Sequence, residues 1–186
     1  PVINSGVFVT RIEVWVTNRT GAVDNTRNIV ALSDIGEPDG MLESVGTSFI
    51  SNNPTHPQIP DNDVNDLYSQ MVATPGIRDI NTPLQTSLSG YISQGFTQAI
   101  NYERVNNARK LLPTEFTYNE RLGYVSLNQG LNFDEVVAVS YQYTLNGQVY
   151  QVGEFSTDFT NGQDALIVKM LKSTNNVPKV SFNSQR

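Results

Sequence analysis

The sequence has no cysteine, and among its 186 residues histidine and tryptophan each occur once. Without cysteine the chain can form neither a disulfide framework nor a thiolate metal site. Structural zinc usually takes about four cysteine or histidine ligands, so one histidine does not suffice for it. The sequence also begins without a methionine or a charged segment followed by an apolar run, and we read no targeting signal in it. We expect the chain to be a piece of a longer protein.

Positive charge is scarce as well. Twelve lysines and arginines face 18 acidic residues, which gives a net charge of -6. A nucleic-acid binder must offset phosphate charge with clustered basic residues. The nearest approach to a cluster is Arg104, Arg109, Lys110 and Arg121, which we interpret as a solvated edge, so nucleic acid is not expected as a partner. No stretch approaches the roughly 18 apolar residues that a membrane-spanning helix needs, and we expect no membrane span in this segment.

Alternating apolar residues predict strands at both ends of the chain. Residues 7–17 read VFVTRIEVWVT, which places Arg11 and Glu13 on one face of a half-buried strand. The opposite face would carry Phe8, Thr10, Ile12, Val14 and Val16. A second short strand is predicted at 28–32. The apolar run at 165–171 favours another strand, although a short helix fits it too.

The clearest local signal is Asn146-Gly147, which lies between two alternating runs and can supply the two positive φ angles of a type I′ hairpin turn. A two-residue loop fixes the register. The predicted cross-strand pairs are Leu145 with Gln148, Tyr143 with Tyr150, and Tyr141 with Val152. One face then collects side chains that must be covered: Val137, Val139, Tyr141, Tyr143, Tyr150 and Val152. The other face, which would meet water or a polar neighbour, holds Ser140, Gln142, Thr144 and Gln151.

The middle of the chain is dense in turn formers, and 36–83 is predicted to be mostly ordered loop. One short helix is predicted where apolar residues fall at helical spacing: Val64, Leu67, Tyr68, Met71 and Val72. Asp63 and Asp66 lie before and within this run in the pattern of a capping box. A further helical stripe would contain Ile92, Phe96, Ala99 and Ile100. The segment 102–112 fits either state, and two short strands joined by a turn are predicted at 115–118 and 123–127.

Together these elements predict a mainly β fold. We expect an antiparallel β-sandwich, jelly-roll-like, with a long loop-rich insertion that carries one or two short helices. Residues 1–172 would form a single β-rich soluble domain, with the insertion at about 36–112. Residues 173–186 would form a polar C-terminal tail, with one more short strand at 180–182.

Reactive groups are few and dispersed. We interpret His56, in the row NNPTHPQIP, as an exposed loop residue rather than the base of a Ser-His-Asp triad. The row DNDVND suggests a calcium loop, but as an EF-hand it puts Asp66 where glycine is required and Val72 where glutamate is required. No pair suited to glycoside hydrolysis stands out among Glu13, Asp34, Glu37, Asp134, Glu135 and Glu154. We therefore assign no catalytic, cofactor-binding or metal-binding residue and predict that the chain is not an enzyme.

Three rows are more particular than a generic strand pattern. They read VTRIEVWVTNRTGAVDNTRNIVALSDIGE at 9–37, RLGYVSLNQGLNFDEVVAVSYQYTLNGQVYQVGEFS at 121–156 and DALIVKMLKS at 164–173. These rows resemble the SprA family, also called Sov, the giant outer-membrane translocon of type IX secretion and gliding motility in Bacteroidetes. The similarity spans both ends of the chain and leaves about 38–97 unmatched.

The resemblance implies a non-enzymatic structural and interaction module of that translocon, which would help to shape its pore, cap or vestibule. It implies a location at the bacterial cell envelope, associated with the outer membrane as a periplasmic, luminal or cell-surface part. The implied partners are other parts of the same long chain, envelope proteins of the secretion machinery and cargo proteins. The resemblance supplies no motif that assigns a residue to this role.

A second class of function stays open on the residues alone. A β-sandwich module of a cell-surface protein could bind carbohydrate by stacking Trp15 or exposed tyrosines on sugar rings. Trp15 shares its strand face with Arg11 and Glu13, however, so burial against another element is equally reasonable. A hydrolase built on His56 and an acid is the least favoured hypothesis.

Overall fold

Residues 6–38, 42, 49–159 and 161–175 are described by the structure, a computed structural model. Within these ranges the chain forms eight strands and three short helices. The strands are β1 (Val7–Val16), β2 (Thr26–Leu32), β3 (Tyr102–Lys110), β4 (Phe116–Asn119), β5 (Tyr124–Leu127), β6 (Val137–Leu145), β7 (Gln148–Val152) and β8 (Leu166–Lys172). The helices are α1 (Leu67–Ala73), α2 (Leu84–Ser87) and α3 (Ser89–Ile92).

Five of the strands close into a barrel, in the order β1-β3-β2-β8-β6 and back to β1. β1 pairs with β6 along its whole length, and its other edge pairs with β3 at Trp15 and Val16. Neighbouring strands are antiparallel except β2 and β8, which run parallel. The predicted β-sandwich is therefore wrong. The fold is mainly β, with 36% of the described residues in strands and 9% in helices, but one sheet closes around a single interior instead of two sheets stacking face to face.

Apolar side chains from all five strands fill the barrel interior. They are Trp15, Ile29, Ala31, Val105, Ala108, Val136, Ala138, Leu166, Val168 and Met170. Closure overturns one expectation about exposure, because Ser140, which was predicted to face water or a polar neighbour, is fully buried. The faces of β1 and β6 that line the barrel interior are buried because the sheet closes on itself.

β1 departs from strict alternation at a bulge between Val9 and Arg11. The extra residue allows Val9 and Ile12 to face the same side of the sheet although they are three positions apart. Phe8, which strict alternation placed on the covered face, is 62% exposed as a result. The predicted apolar face of β1 is therefore wrong for Phe8, before the bulge, and correct for Val14 and Val16, after it.

Residues 49–101 pack on the outer face of β2, β3 and β8. The shared cluster contains Val30, Leu32, Ile35, Leu67, Met71, Ile77, Leu84, Leu88, Phe96, Tyr102, Val152, Ala165 and Ile167. The predicted short helix is confirmed as α1. Its predicted capping box is wrong, because Asp66 makes no side-chain cap bond and instead accepts the Ser51 N–H at 2.8 Å. This contact joins the start of α1 to the segment before it.

The second predicted helical stripe is not one continuous helix. α2 and α3 are single turns that end by Ile92, and Phe96 is buried while Ile100 stays 36% exposed. The segment that fitted either state forms β3. Arg104 of this strand donates to the Thr82 carbonyl at 2.7 Å, so it fastens the insertion to the barrel rather than lying on a solvated edge.

Three strand predictions at the C-terminal side are confirmed. β4 and β5 form the predicted pair of short strands, and the run at 165–171 is β8. β6 and β7 form the Asn146-Gly147 hairpin in the predicted register, with φ angles of 52° and 79° at the turn. The predicted strand at 180–182 lies outside the described residues. In the described ranges, no helix is both long enough and apolar enough to cross a membrane.

Candidate functional site

A mostly apolar groove of about 470 Å³ lies on the outer face of β1 and β6. Val9 and Ile12 of β1, with Val139 and Tyr141 of β6, form its floor, and the β4–β5 hairpin forms one wall. The remaining lining residues are Val7, Glu37, Ile59, Pro60, Tyr118, Asn119, Glu120, Gly123, Tyr124, Val125, Tyr143, Leu145, Lys169 and Leu171.

The groove exists because this sheet face is covered at two places and open between them. Alternation along β6 points Val139, Tyr141 and Tyr143 to the same side. At one end the hairpin packs on β1 and β6 through a small cluster of Val14, Val16, Leu111, Phe116 and Val137. At the other end Tyr143 is covered by residues 59–60. The cover that the sequence predicted for this face is therefore only partial.

The hairpin wall is joined to the barrel at its base and at its tip. At the base, Arg109 Nη1 donates to both oxygens of Glu115, at 2.9 and 2.8 Å. The Leu112 N–H, assisted by Arg109, holds the pKa of Glu115 below its ordinary value. At the tip, the Val9 N–H donates to Glu120 Oε2 at 3.0 Å. A side-chain carboxylate thus occupies a position on the edge of β1 that a neighbouring strand would fill with a carbonyl.

Beyond β6, the outer edge of β7 is covered by residues 61 and 62. The Gln151 N–H donates to Asp61 Oδ1 at 2.8 Å, and the Asn62 N–H donates to the Gln151 carbonyl at 2.8 Å. Tyr143 donates its hydroxyl hydrogen to the Pro60 carbonyl at 2.7 Å. Each of these three hydrogen bonds involves a main-chain group, and together they fix this rim of the groove.

One end of the groove is polar. Lys169 is 9% exposed, forms an ion pair with Glu37, and donates to the Ser33 carbonyl at 2.6 Å. Burial, with Glu37 nearby, raises the pKa of Tyr141 well above its ordinary value. The Tyr141 hydroxyl therefore stays protonated at neutral pH and can act as a neutral hydrogen-bonding group.

His56 is less exposed than the sequence suggested, since only 13% of its side chain is accessible. Its Nε2 lies 2.8 Å from Asp61 Oδ2, its Nδ1 lies 2.6 Å from the Pro57 carbonyl, and its ring meets Tyr150 edge-on. The interpretation as an exposed loop residue is wrong for this ring. The contacts hold residues 56–61 against β7 and do not bring a serine hydroxyl to the ring.

Glu154, one of the carboxylates considered for hydrolysis, is almost completely enclosed by the protein. It is 2% exposed, and it accepts hydrogen bonds from both Arg78 Nη atoms at 2.7 and 2.5 Å. Tyr68 and the Ile167 N–H also donate to it, at 2.9 and 2.8 Å. The bond to Glu154 raises the pKa of Arg78, and burial raises that of Tyr68. This cluster fastens the insertion to β8.

The other carboxylates considered for hydrolysis have different partners, although Glu37 and Asp34 lie in one turn, where the Glu37 N–H donates to the Asp34 carbonyl. Their contacts are Glu13 with Lys110 and Ser156, Glu37 with Lys169, Asp134 with Arg19, and Glu135 with the Asn132 N–H; Asp34 is fully buried. In the DNDVND row, Asp61 and Asp66 bind backbone N–H groups of different segments. Over the described ranges, no three histidine, cysteine or acidic side chains gather as they would around a metal ion.

Sequence reasoning placed Val139 and Tyr141 of β6 on a face that must be covered and Ile12 on the apolar face of β1, but it missed Val9. The Asn146-Gly147 turn allowed the register of Tyr141 and Tyr143 to be predicted. Val9 faces the groove because of a bulge in β1, and no pattern in the sequence predicts that bulge. Trp15, the residue proposed to stack on sugars, is 1% exposed and lies inside the barrel. Comparisons of the chain with protein-family models and with curated proteins find no match.

Proposed function

We propose that this chain is a non-enzymatic structural and interaction module of a giant outer-membrane translocon of the SprA type, and that it contacts partner or cargo proteins through the groove on β1 and β6. The observation that carries the proposal is where the SprA-like rows fall. Rows 9–37, 121–156 and 164–173 contain β2, β6, β7 and β8 complete and most of β1. They therefore supply four of the five barrel strands and the floor of the groove.

The character of the groove supports a binding role over a catalytic one. Val9, Ile12 and Val139 present aliphatic surface, and the acidic groups nearest to it, Glu37 and Glu120, are already engaged by Lys169 and the Val9 N–H. An apolar concavity with few polar groups is typical of sites that bind apolar side chains or ligands. The carbohydrate alternative loses Trp15, which is enclosed by the barrel, and keeps only exposed tyrosines such as Tyr118 and Tyr124 of the hairpin.

The proposal is tested by Val9→Glu in the full-length translocon, since a carboxylate at this position would place charge in the groove without touching the barrel interior. We expect protein export by type IX secretion to fall while the translocon still reaches the outer membrane. The matched control is Val149→Glu on β7, a position that is 60% exposed and outside the groove lining.

Deleting the whole segment gives the complementary test. We expect export to stop, and unchanged secretion by a deletion mutant whose translocon is still present in the membrane would remove the proposal. Equal defects from Val9→Glu and Val149→Glu would show that the groove has no specific part in export.

A further inference from the structure

Among the strands that the structure describes, none lies beside one edge of the first half of β1. In the described residues, β3 pairs with β1 only at Trp15 and Val16, although β1 extends back to Val7. On the other edge β1 follows β6 throughout. An unpaired strand edge presents a row of backbone donors and acceptors, and it is a template for an added strand.

The direction of the backbone groups follows from the ladder. The Leu111 N–H donates to the Val14 carbonyl on the β3 side, and the Val9 N–H points to Glu120 rather than to β6. Because successive residues of a strand alternate their hydrogen-bonding direction, the N–H and carbonyl of Ile12 also point away from β6. The same residues turn their side chains into the groove, so the edge and the groove form one continuous surface.

Building on the proposed function, we propose that an extended segment of another polypeptide adds to β1 alongside Val7 to Ile12 as a further strand. Its backbone pairs with Val9 and Ile12, it displaces Glu120 from the Val9 N–H, and its alternate apolar side chains enter the groove. Glu120, once released, is placed to pair with a lysine or arginine of the incoming strand.

One observation indicates which strand edge is used, and another indicates the kind of segment that binds there. The β7 edge of the same sheet is already covered by Asp61 and Asn62, so strand addition is directed to β1. A second copy of this chain is disfavoured, because two-fold pairing of β1 with β1 near Val9 would bring two Glu120 carboxylates together between molecules that each carry a net charge of -6. The charge favours a partner segment that is apolar at alternate positions and carries a basic residue.

The test uses the 186-residue chain and a displayed library of random peptides about ten residues long, a length that matches an ordinary strand. We expect enrichment of peptides with alternating apolar residues and at least one lysine or arginine. A synthetic copy of an enriched peptide should slow amide exchange at Val9 and Ile12. The matched control is the same peptide methylated at the backbone nitrogens that would face β1, which should no longer bind.

Two protein variants locate the site. Val9→Thr keeps a branched strand residue but makes the groove floor polar, and we expect it to weaken peptide binding about tenfold, which corresponds to about 1.4 kcal/mol. Val149→Thr makes the same change on β7, at an exposed position outside the groove lining, and should leave binding unchanged. A circular dichroism spectrum and melting curve like those of the unmodified chain would show that each variant is folded.

Several outcomes would overturn strand addition: no enriched peptide, equal binding of the methylated peptide, or equal effects of the two variants. Self-association through β1, detected by sedimentation, would point to a second copy instead and would also overturn it. These outcomes are separate from the export assay, because a segment that is required for secretion but binds no extended peptide would keep its proposed function and lose only this partner.

Discussion

Two additions to the same barrel, the insertion at 49–101 and the β4–β5 hairpin, are held in different ways. The insertion shares a buried apolar cluster with β2, β3 and β8 and is fastened by Glu154, which is 2% exposed. The hairpin buries Phe116, packs Val125 and Leu127 only partly, and is otherwise joined by two glutamates, Glu115 and Glu120, whose contacts lie near the surface. Because buried apolar contacts set how cooperatively a region unfolds, the insertion should unfold with the barrel, and the hairpin should open by itself.

Glu154→Ala, which should weaken the attachment of the insertion, has the largest expected effect on stability. The substitution leaves the Arg78 guanidinium, which is 21% exposed, without its carboxylate, and removing one member of a buried ion pair costs about 3 kcal/mol. We expect a loss of this order in the free energy of unfolding, measured by chemical denaturation, with the insertion and barrel still unfolding together. The matched control is Glu120→Ala at the hairpin tip, where the loss should be below about 1 kcal/mol. Equal losses would mean that the two additions are held alike.

Phe116→Ala should separate the two regions directly. Deleting a phenylalanine side chain from a full core costs about 3 kcal/mol or more, and the small peripheral cluster around Phe116 lowers this to about 2 kcal/mol. We expect hydrogen exchange to show that the β4 and β5 amides open more easily by this amount, while the α1 amides keep their protection. Phe8→Ala, at a side chain that is 62% exposed, should change neither region. Faster exchange in α1 would instead show that the hairpin and insertion are coupled.

The smallest expected effect is a pH dependence of the hairpin. Contacts from the Leu112 N–H and Arg109 lower the pKa of Glu115 below its ordinary value of 4.5. A lowered folded-state pKa contributes stability that is fully present above about 4.5 and is lost as the pH falls through the lower folded value. Glu115→Gln should therefore cost at most about 1 kcal/mol at neutral pH and flatten the acid dependence of hairpin exchange. An unchanged acid profile would contradict this assignment.

Local features of the fold were predictable from the sequence. Asn146-Gly147 determines its own register, because a two-residue turn fixes the facing residues, and the α1 and β8 segments follow from short apolar periodicities. Barrel closure was not predictable, because it depends on pairing β1 with β6 and β2 with β8 across most of the chain. Alternation shows that a strand has a buried face, but it does not show whether that face meets a second sheet or the inside of a closed one.

The same limit applies to the candidate site. The apolar face of β6 could be predicted, including the need to cover Tyr141 and Tyr143. The contribution of Val9 could not, because the bulge after it reverses the alternation of the earlier residues of β1. The role of Glu120 as a cap on a strand edge follows from a contact between positions 9 and 120, and neither position carries a pattern that indicates the other.

The position of β8 in the sheet determines when the barrel can close during folding. It is the last of the described strands along the sequence, yet it lies between β2 and β6 in the barrel. During synthesis the barrel cannot close between β2 and β6 until β8 emerges, and until then the interior side chains that pack on β8, Trp15 among them, are open to water. Distant pairings of this kind delay folding and lengthen the time for which apolar surface attracts other chains. The interval before residues 166–172 arrive is therefore the stage at which the edges of β2 and β6 are open to other chains.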